Sequence, residues 1–388
     1  MLTKKNVHAP VSLTSGVASA PVAQHLLPVK VTEVYDSYWK FAVERQNVFF
    51  RRLEGEPEPW TLDPVISVHK FTNAYRASDR VSQYLIRHVI YREDLSAEPA
   101  EVIFRILLFK LFNKIETWEL LEHTIGEISW RKYDFARYDG VLREAMRAGG
   151  RIYSAAYIMP PGGNAFGFAA KHQNHLKLLE RMMADELPRQ LAEMSRMQDA
   201  FELLRSYPTI GDFLAYQFVT DINYSEATRF SESEFVVPGP GARDGLRKCF
   251  SDTAGLNEAE LIRLVMDRQE REFERLGLNF RSLWSRPLQL IDCQNLFCEV
   301  DKFARVAHPS IAGISGRVRI KQKFTKTGPL PLPWYPPKWE LNGRISEAMG
   351  FERPQTTDLI AGDGSQRKLQ LGKSNGSRSI SGRSKEHG

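Results

Sequence analysis

Apolar residues recur every three or four positions along most of this 388-residue chain, the spacing that gives an α-helix one buried face. Val34 to Arg52 shows this pattern, and Val102 to Phe112 is apolar nearly all round, as in a helix at the centre of a domain. The two-residue alternation typical of half-buried strands is scarce. We therefore predict a mainly α-helical body from about Thr32 to Pro309, with a cleft between two helical lobes.

Two glycine turns lie close together in the stretch Tyr207–Gly245. The first turn, Pro208–Gly211, precedes an apolar helical segment, and the second carries Gly239, Gly241 and Arg243 just before another helix. Unpaired backbone N–H groups and the helix dipole make such helix starts suitable for a phosphate. Either turn alone also occurs in helical proteins without a ligand. The pair favours contact with a nucleic-acid strand.

Polar residues recur at helical spacing within the segment Thr61–Tyr91, after the helix-start signal Asp63-Pro64. The interpretation as one helix places a polar stripe on it, with Asp79 beside the stripe: Lys70, Asn73, Arg76 and Arg80. A solvated helix face has the same pattern, so this segment alone does not establish a binding site.

A second polar helix is predicted for Leu288–Val306. One of its faces combines an amide, a thiol, a carboxylate and a guanidinium: Gln294, Cys298, Asp301 and Arg305. We expect this helix to face the cleft and to supply groups for proton transfer or base reading. A structural network of ion pairs would look similar.

Five sequence blocks, in order, carry a resemblance to a known family. They are YWKFAVERQNVFFRRL, WTLDPVISVHKFTNAYRASDRVSQYLI, IGDFLAYQFVTDINYS, VPGPGARDG and DCQNLFCEVDKFAR. Together they resemble the alpha-glutamyl/putrescinyl thymine pyrophosphorylase family, also known as the 5-hydroxymethyluracil DNA kinase helical domain. The first turn is also similar to the hairpin of helix-hairpin-helix DNA glycosylases, although Thr209 stands where that family usually has its first glycine.

The resemblance implies a DNA-glycosylase-like fold of two helical lobes with a helix-hairpin-helix element. It implies a DNA substrate with a flipped, pyrophosphorylated 5-hydroxymethyluracil or similar thymine, from which an amine or amino-acid donor displaces pyrophosphate. The expected catalytic residues include a carboxylate base: Asp221, Glu299, Asp301 and Lys302. The expected substrate-binding residues are Lys70, Asn73, Arg76, Asp79, Arg80, Gln217, Gln294 and Asn295. The expected DNA phosphate contacts are Gly211, Gly239, Gly241 and Arg243.

Two other functions stay open at this point. In DNA glycosylases a catalytic aspartate follows the hairpin at a spacing that falls here within Ser231–Pro238, where no aspartate occurs. Glu232 and Glu234 are possible substitutes, although the position that fits best is Pro238. The third function is a non-catalytic DNA-binding module. No Walker motif is present, which argues against the chain being a kinase by itself.

Charge and composition predict how the chain is divided. Of the net charge of +6, the tail Ser365–Gly388 supplies +5, with six Lys or Arg against one Glu, so the body is nearly neutral. We expect a disordered arm over residues 1–30, the helical catalytic domain over 31–310, a basic, proline-rich strap over 311–349 and a disordered basic tail over 350–388.

Cysteine usage and hydropathy indicate where the protein resides. Three cysteines form no even disulfide framework, which favours a reducing environment, and no signal peptide or membrane-spanning run is evident. We expect an intracellular protein, cytoplasmic or associated with the nucleoid or nucleus, and no membrane partner. The His and Cys spacings predict no metal site and no cofactor, and they say nothing of the oligomeric state.

Overall fold

The computed structural model describes residues 28–155, 159–326 and 328–350, and it is mainly helical, as predicted. Most of the expected N-terminal arm and C-terminal tail lies outside these residues. Two short strands, β1 (Lys30–Val31) and β2 (Phe250–Asp252), pair antiparallel. The α-helices are α1 Glu33–Leu53, α2 Arg80–Tyr84, α3 Pro99–Phe112, α4 Ile115–Ile125, α5 Phe135–Arg147, α6 Gly163–Phe166, α7 Lys171–Ala184, α8 Leu187–Glu193, α9 Met197–Arg205, α10 Asp212–Ile222, α11 Pro240–Cys249, α12 Glu258–Arg275, α13 Leu290–Ala307 and α14 Asn342–Ala348.

Helix α3 is the buried central helix that its apolar sequence predicts. It begins with Pro99, whose missing N–H costs nothing in the first turn, and it ends where Asn113 adopts a left-handed conformation with φ 48°. Three charged residues inside it are tolerated because each has a partner. The carboxylate of Glu101 accepts from the backbone N–H of Trp130 at 2.7 Å. Arg105 donates from Nε to the carbonyl of Val89 at 3.1 Å, and Lys110 donates from Nζ to Oδ1 of Asn113 at 2.8 Å.

Helices α11 and α13 pack closely because glycines line their contact. A side chain at Gly245 would collide with the carbonyl group of Phe297. A Cβ at Gly241 would lie 3.2 Å from Sγ of Cys298. Gly241, which the sequence assigned to phosphate binding, therefore lies in a region where α11 also needs small residues for packing.

The first glycine turn joins α9 to α10. Thr209 has φ 71°, a backbone conformation that glycine adopts readily and that a β-branched residue adopts at a cost. The residue that replaces the glycine of the hairpin motif thus has the backbone conformation expected of that glycine. The helix-hairpin-helix assignment and the two-lobed, glycosylase-like arrangement stay predictions.

The proline-rich strap, residues 311–349, contacts the helical body at several points. His69 and Lys323 form an antiparallel bridge, and the backbone N–H of Ser315 donates to Oδ1 of Asp244 at 2.8 Å. Further along, Tyr335 is fully buried, and its hydroxyl lies 2.7 Å from Oγ of Ser78. Among the described helices, none has the length and apolar character needed to cross a membrane.

Candidate functional site

The polar segment around Lys70–Arg80 is not the single helix that its spacing predicted. It is a loop with a short 3₁₀ turn at Arg76–Ser78, and α2 begins only at Arg80. Carboxylates elsewhere in the chain, or further along the loop itself, accept hydrogen bonds from its backbone N–H groups. The amide of Thr72 donates to Glu299 at 3.1 Å, and that of Asn73 donates to Asp79 at 2.8 Å. Side chains therefore replace the helical hydrogen bonds here.

The predicted stripe is split by this loop. Lys70 and Arg80 are exposed, whereas Arg76 is 3% exposed. The side chain of Asn73 bridges its own loop, since Nδ2 donates to the carbonyl of Ser78 at 2.8 Å and Oδ1 accepts from Arg45 at 3.2 Å. The four residues do not form one surface for a phosphate.

Arg76 instead belongs to a central ion cluster, formed with Asp221 and Lys110. Its guanidinium donates to both carboxylate oxygens of Asp221, at 2.7 and 3.0 Å, and Lys110 Nζ lies 2.8 Å from the same carboxylate. Arg76 also donates to Gln217 at 3.2 Å and to the hydroxyl of Tyr224 at 2.8 Å. The two cations hold the pKa of Asp221 below its usual range despite its burial.

Asp301 on α13 has a comparable environment. Lys248 of α11 lies 2.9 Å from Oδ1 of Asp301, and Arg305, one turn along α13, donates to Oδ2. The predicted face of α13 exists, but around Asp301 it packs against α11. Glu299 pairs with Lys302 at 2.6 Å on a more accessible side. Asn295 is half-buried.

Two other carboxylates have pKa values shifted toward neutrality. Burial raises the pKa of Asp79 to about 7, although the N–H of Asn73 opposes the shift. Burial likewise raises the pKa of Asp292 to about 6, against hydrogen bonds from the backbone of Gln289 and Arg76. Neither has a direct ion pair among the described contacts, and Asp79 as a whole residue is half-buried, whereas Asp292 is 4% exposed.

The two glycine turns meet in space. Helix α10 begins after Gly211 and α11 begins after Gly239, and no side chain caps either start. A Cβ at Gly239 would lie 2.9 Å from the ring of Phe213, in the first turn of α10. It would also lie 3.6 Å from Nε2 of Gln294, so three predicted binding residues, Gly239, Gly241 and Gln294, lie together.

Arg243 is the one charged residue among the predicted phosphate contacts. Its side chain is 50% exposed and pairs at 3.0 Å with Glu258, which is 40% exposed. Such a pair contributes little to stability, so a phosphate can replace the carboxylate at small cost. Gly211 is also exposed, and a Cβ added there would contact nothing within 4 Å.

A pocket that holds Trp339 of the strap lies over the loop between α10 and α11. The indole Nε1 donates to Oε1 of Glu232 at 2.8 Å, and Arg286 donates to Oε2 of the same carboxylate at 2.8 Å. The guanidinium of Arg286 lies 3.8 Å from the indole centroid. Tyr224, which also contacts Arg76, presents its ring to the edge of the indole at 5.7 Å. We call this the strap pocket.

Comparison with known proteins identifies the family. The model of the 5-hmdU DNA kinase helical domain matches residues 32–313. This chain belongs to that family. The resemblance seen in the sequence blocks is therefore confirmed. A relative named 5-hmdU DNA kinase, from Bacillus phage SP10, is 26% identical over 291 residues. The match covers 70% of this chain and 45% of the relative, so the chain spans less than half of that protein. No solved structure matches the chain.

The sequence did not predict the strap pocket of this family member. Glu232 entered only as a substitute for a glycosylase aspartate, and Arg286 and Trp339 were not considered. Trp339 lies beyond the family match, in a segment whose composition indicated only an extended strap. The signal that could have found it is the pair of tryptophans in PLPLPWYPPKW, since tryptophans in an exposed strap need a surface to cover. In the described parts of the chain, no three His, Cys, Asp or Glu residues are grouped to hold a metal.

Proposed function

We propose that this chain binds DNA and takes part in modifying 5-hydroxymethyluracil, or a derivative of it, within that DNA. Membership of the helical-domain family and the relative named 5-hmdU DNA kinase support this proposal. The structural observation that carries it is the meeting of two uncapped helix starts, at Gly211 and Gly239.

These helix starts suit a phosphodiester strand. Helix α10 offers backbone N–H groups in its first turn, whereas α11 offers fewer because its first residue, Pro240, has no N–H. Both starts carry the positive end of a helix dipole, which favours an anion. Gly211 has no side chain to keep a phosphate away, and Arg243 in the first turn of α11 adds an accessible guanidinium. Phosphate contacts of this kind position a protein on DNA without reading its sequence.

For the chemistry, we propose the displacement of pyrophosphate by an amine. The amine nitrogen attacks the methylene carbon on C5 of the base, the C–O bond to the pyrophosphate breaks, and pyrophosphate leaves with the bonding electron pair. A carboxylate accepts the proton that the new ammonium group releases. Asp79 suits this role better than Asp221 or Asp301, because those two are 1% exposed and each is held by two cations, whereas Asp79 is half-buried with a pKa of about 7.

The DNA contact is tested with Gly211→Ala and Arg243→Ala, measured by fluorescence anisotropy on a duplex with one 5-hydroxymethyluracil. Gly140→Ala is the matched control, because Gly140 lies within α5 and a Cβ there also meets nothing within 4 Å. We expect both site variants to weaken binding and Arg243→Ala to reduce the salt dependence by roughly one ion. Binding equal to that of the control would remove this surface from the proposal.

The chemistry is tested by incubating the protein with an amine and a duplex that carries the pyrophosphorylated base, followed by nucleoside analysis. An amine adduct that is lost in Asp79→Asn supports the displacement. Released free base would indicate a glycosylase, and unchanged nucleosides with intact binding would leave a binding module.

A further inference from the structure

We propose that the strap pocket is a binding site for a uracil-type nucleobase, and that Trp339 fills it when no base is bound. The inference rests on the proposed function, in which bound DNA supplies the base. It adds where the base lies and which side chain covers the site. It is drawn from the way the indole is held.

The indole is held as a planar ring with one N–H donor. Its Nε1 donates to Glu232 at 2.8 Å, the Arg286 guanidinium covers one face at 3.8 Å, and Tyr335 stacks on the ring at 6.0 Å and 23°. Stacking between aromatic or guanidinium groups and a hydrogen bond to an edge are the means by which proteins hold flipped bases.

The polarity of the pocket selects among bases. Uracil and its 5-substituted derivatives carry an N3–H donor between two carbonyl oxygens, so N3–H can replace the indole N–H at Glu232. Cytosine has an unprotonated N3 in the same position, and its lone pair would face the carboxylate. Arg286 pairs with the Glu232 carboxylate at 2.8 Å and can also donate to a neighbouring carbonyl oxygen of the base.

The occupant can leave without unfolding the strap. Trp339 is half-exposed, whereas Tyr335 is fully buried and bonded to Ser78. Asn342 also holds Tyr335, through hydrogen bonds of 2.9 and 2.8 Å to its backbone. Rotation of the Trp339 side chain would therefore open one side of the pocket while Tyr335 stays as a stacking surface.

The surroundings of Glu232 include a small cavity on one side and the central ion cluster on the other. A cavity of about 10 Å³ already adjoins its side chain, lined by Met197, Tyr216, Thr220, Asn223 and Ile291. On the other side, Tyr224 connects the pocket to the central ion cluster through its hydroxyl.

The test compares Trp339→Ala with Trp334→Ala, a matched control on the same strap whose ring contacts Tyr91 at 4.9 Å and not Glu232. Binding of free 5-hydroxymethyl-2′-deoxyuridine, thymidine and 2′-deoxycytidine is measured by ligand-observed NMR. We expect Trp339→Ala to bind the first two about tenfold more tightly than the wild type does, because the wild-type pocket is available for only a small fraction of the time. The control should match the wild type, and deoxycytidine should not bind.

Two further variants keep the test decisive. Trp339→Phe retains a ring but no N–H, so it should give intermediate binding with an intact fold. Adding Glu232→Ala to Trp339→Ala should abolish nucleoside binding. The inference is overturned if neither Trp339 variant binds thymidine or 5-hydroxymethyl-2′-deoxyuridine below about 10 mM, or if deoxycytidine binds equally well.

The same proteins are then assayed on duplexes with and without 5-hydroxymethyluracil. Discrimination between the duplexes without nucleoside binding would leave the proposed function standing and remove the strap pocket from it. Nucleoside binding without discrimination would support the pocket as a uracil site and overturn the proposed role on modified DNA. Failure of both would overturn both.

Discussion

Four aspartates of this protein fall into two groups that differ in their partners. Asp221 and Asp301 each lie between two cations, whereas Asp79 and Asp292 are bound chiefly by backbone N–H groups. Burial raises the pKa of a carboxyl group, and a nearby cation or hydrogen bonds to the charged form lower it. In this protein the two cations hold the pKa of Asp221 below its usual range, whereas burial dominates at Asp79 and Asp292 and raises their pKa values.

The difference predicts separate roles for the two groups. A carboxylate whose two oxygens are both committed to cations cannot take a proton without disrupting the fold. A carboxylate with a near-neutral pKa can exchange a proton at small cost. Variants in the two groups should therefore change different measurements, stability for the first and pH dependence for the second.

The largest effect is expected for Asp221→Ala. The substitution leaves Arg76 and Lys110 buried without their shared anion, which should lower the free energy of unfolding by about 3 to 5 kcal/mol. Urea unfolding followed by circular dichroism measures it. Glu193→Ala, which breaks an exposed pair with Arg189, serves as the control and should change stability by less than about 0.5 kcal/mol. A loss for Asp221→Ala as small as that of the control would contradict the supporting role.

A smaller loss is expected for Lys248→Met. Asp301 keeps Arg305 as a partner, and the Met side chain fills much of the space that the lysine stem occupied. The free energy of unfolding should fall by about 2 kcal/mol. This loss is smaller than that for Asp221→Ala, which leaves two buried cations without an anion. A larger loss of unfolding free energy for Lys248→Met than for Asp221→Ala would contradict this reasoning. It would show that the number of partners left to the remaining buried charges does not determine the loss of stability.

The pH dependence distinguishes the second group. Because Asp79 binds its proton more tightly in the folded protein, its contribution to stability declines as pH rises from 3.8, the ordinary aspartate pKa, to about 7. Asp79→Asn keeps an oxygen for the Asn73 amide and should make the unfolding free energy fall less over that range. Some decline should persist, since Asp292 has a pKa raised to about 6. Parallel profiles for wild type and variant would show that Asp79 titrates normally.

The smallest effect is expected for Thr209→Gly, at the first glycine turn. It relieves a positive φ of 71° in a β-branched residue, and the greater freedom of glycine in the unfolded chain offsets part of the gain. We expect an increase of up to about 1 kcal/mol, read from the thermal midpoint. A clear loss of stability would mean that the threonine methyl, which lies 3.4 Å from the position of a Cβ on Gly162, packs better than the turn geometry suggests.

The sequence predicted the long helices well, because their apolar periodicity is a local property. Val102–Phe112 and Leu288–Val306 lie where α3 and α13 are found, within two or three residues. It was wrong about Lys70–Arg80, since helical spacing of polar residues cannot show that Glu299 and Asp292, more than 200 positions away, bind the backbone there. It placed Asp221 among the candidate bases because residue type alone does not show that two cations surround it. Its roles for the predicted site residues stay predictions.

The strap also shows that the region recognised as a family domain and the region that must fold as a unit are not the same. The family match ends at residue 313, yet Tyr335, Leu341 and Ile345 are buried, and Lys338 donates to the carbonyls of Ser225 and Thr228 at 2.8 Å. A protein cut at the family boundary would expose the surfaces that these residues cover and leave those carbonyls to water. Boundaries for expression or domain exchange in this protein therefore belong after α14.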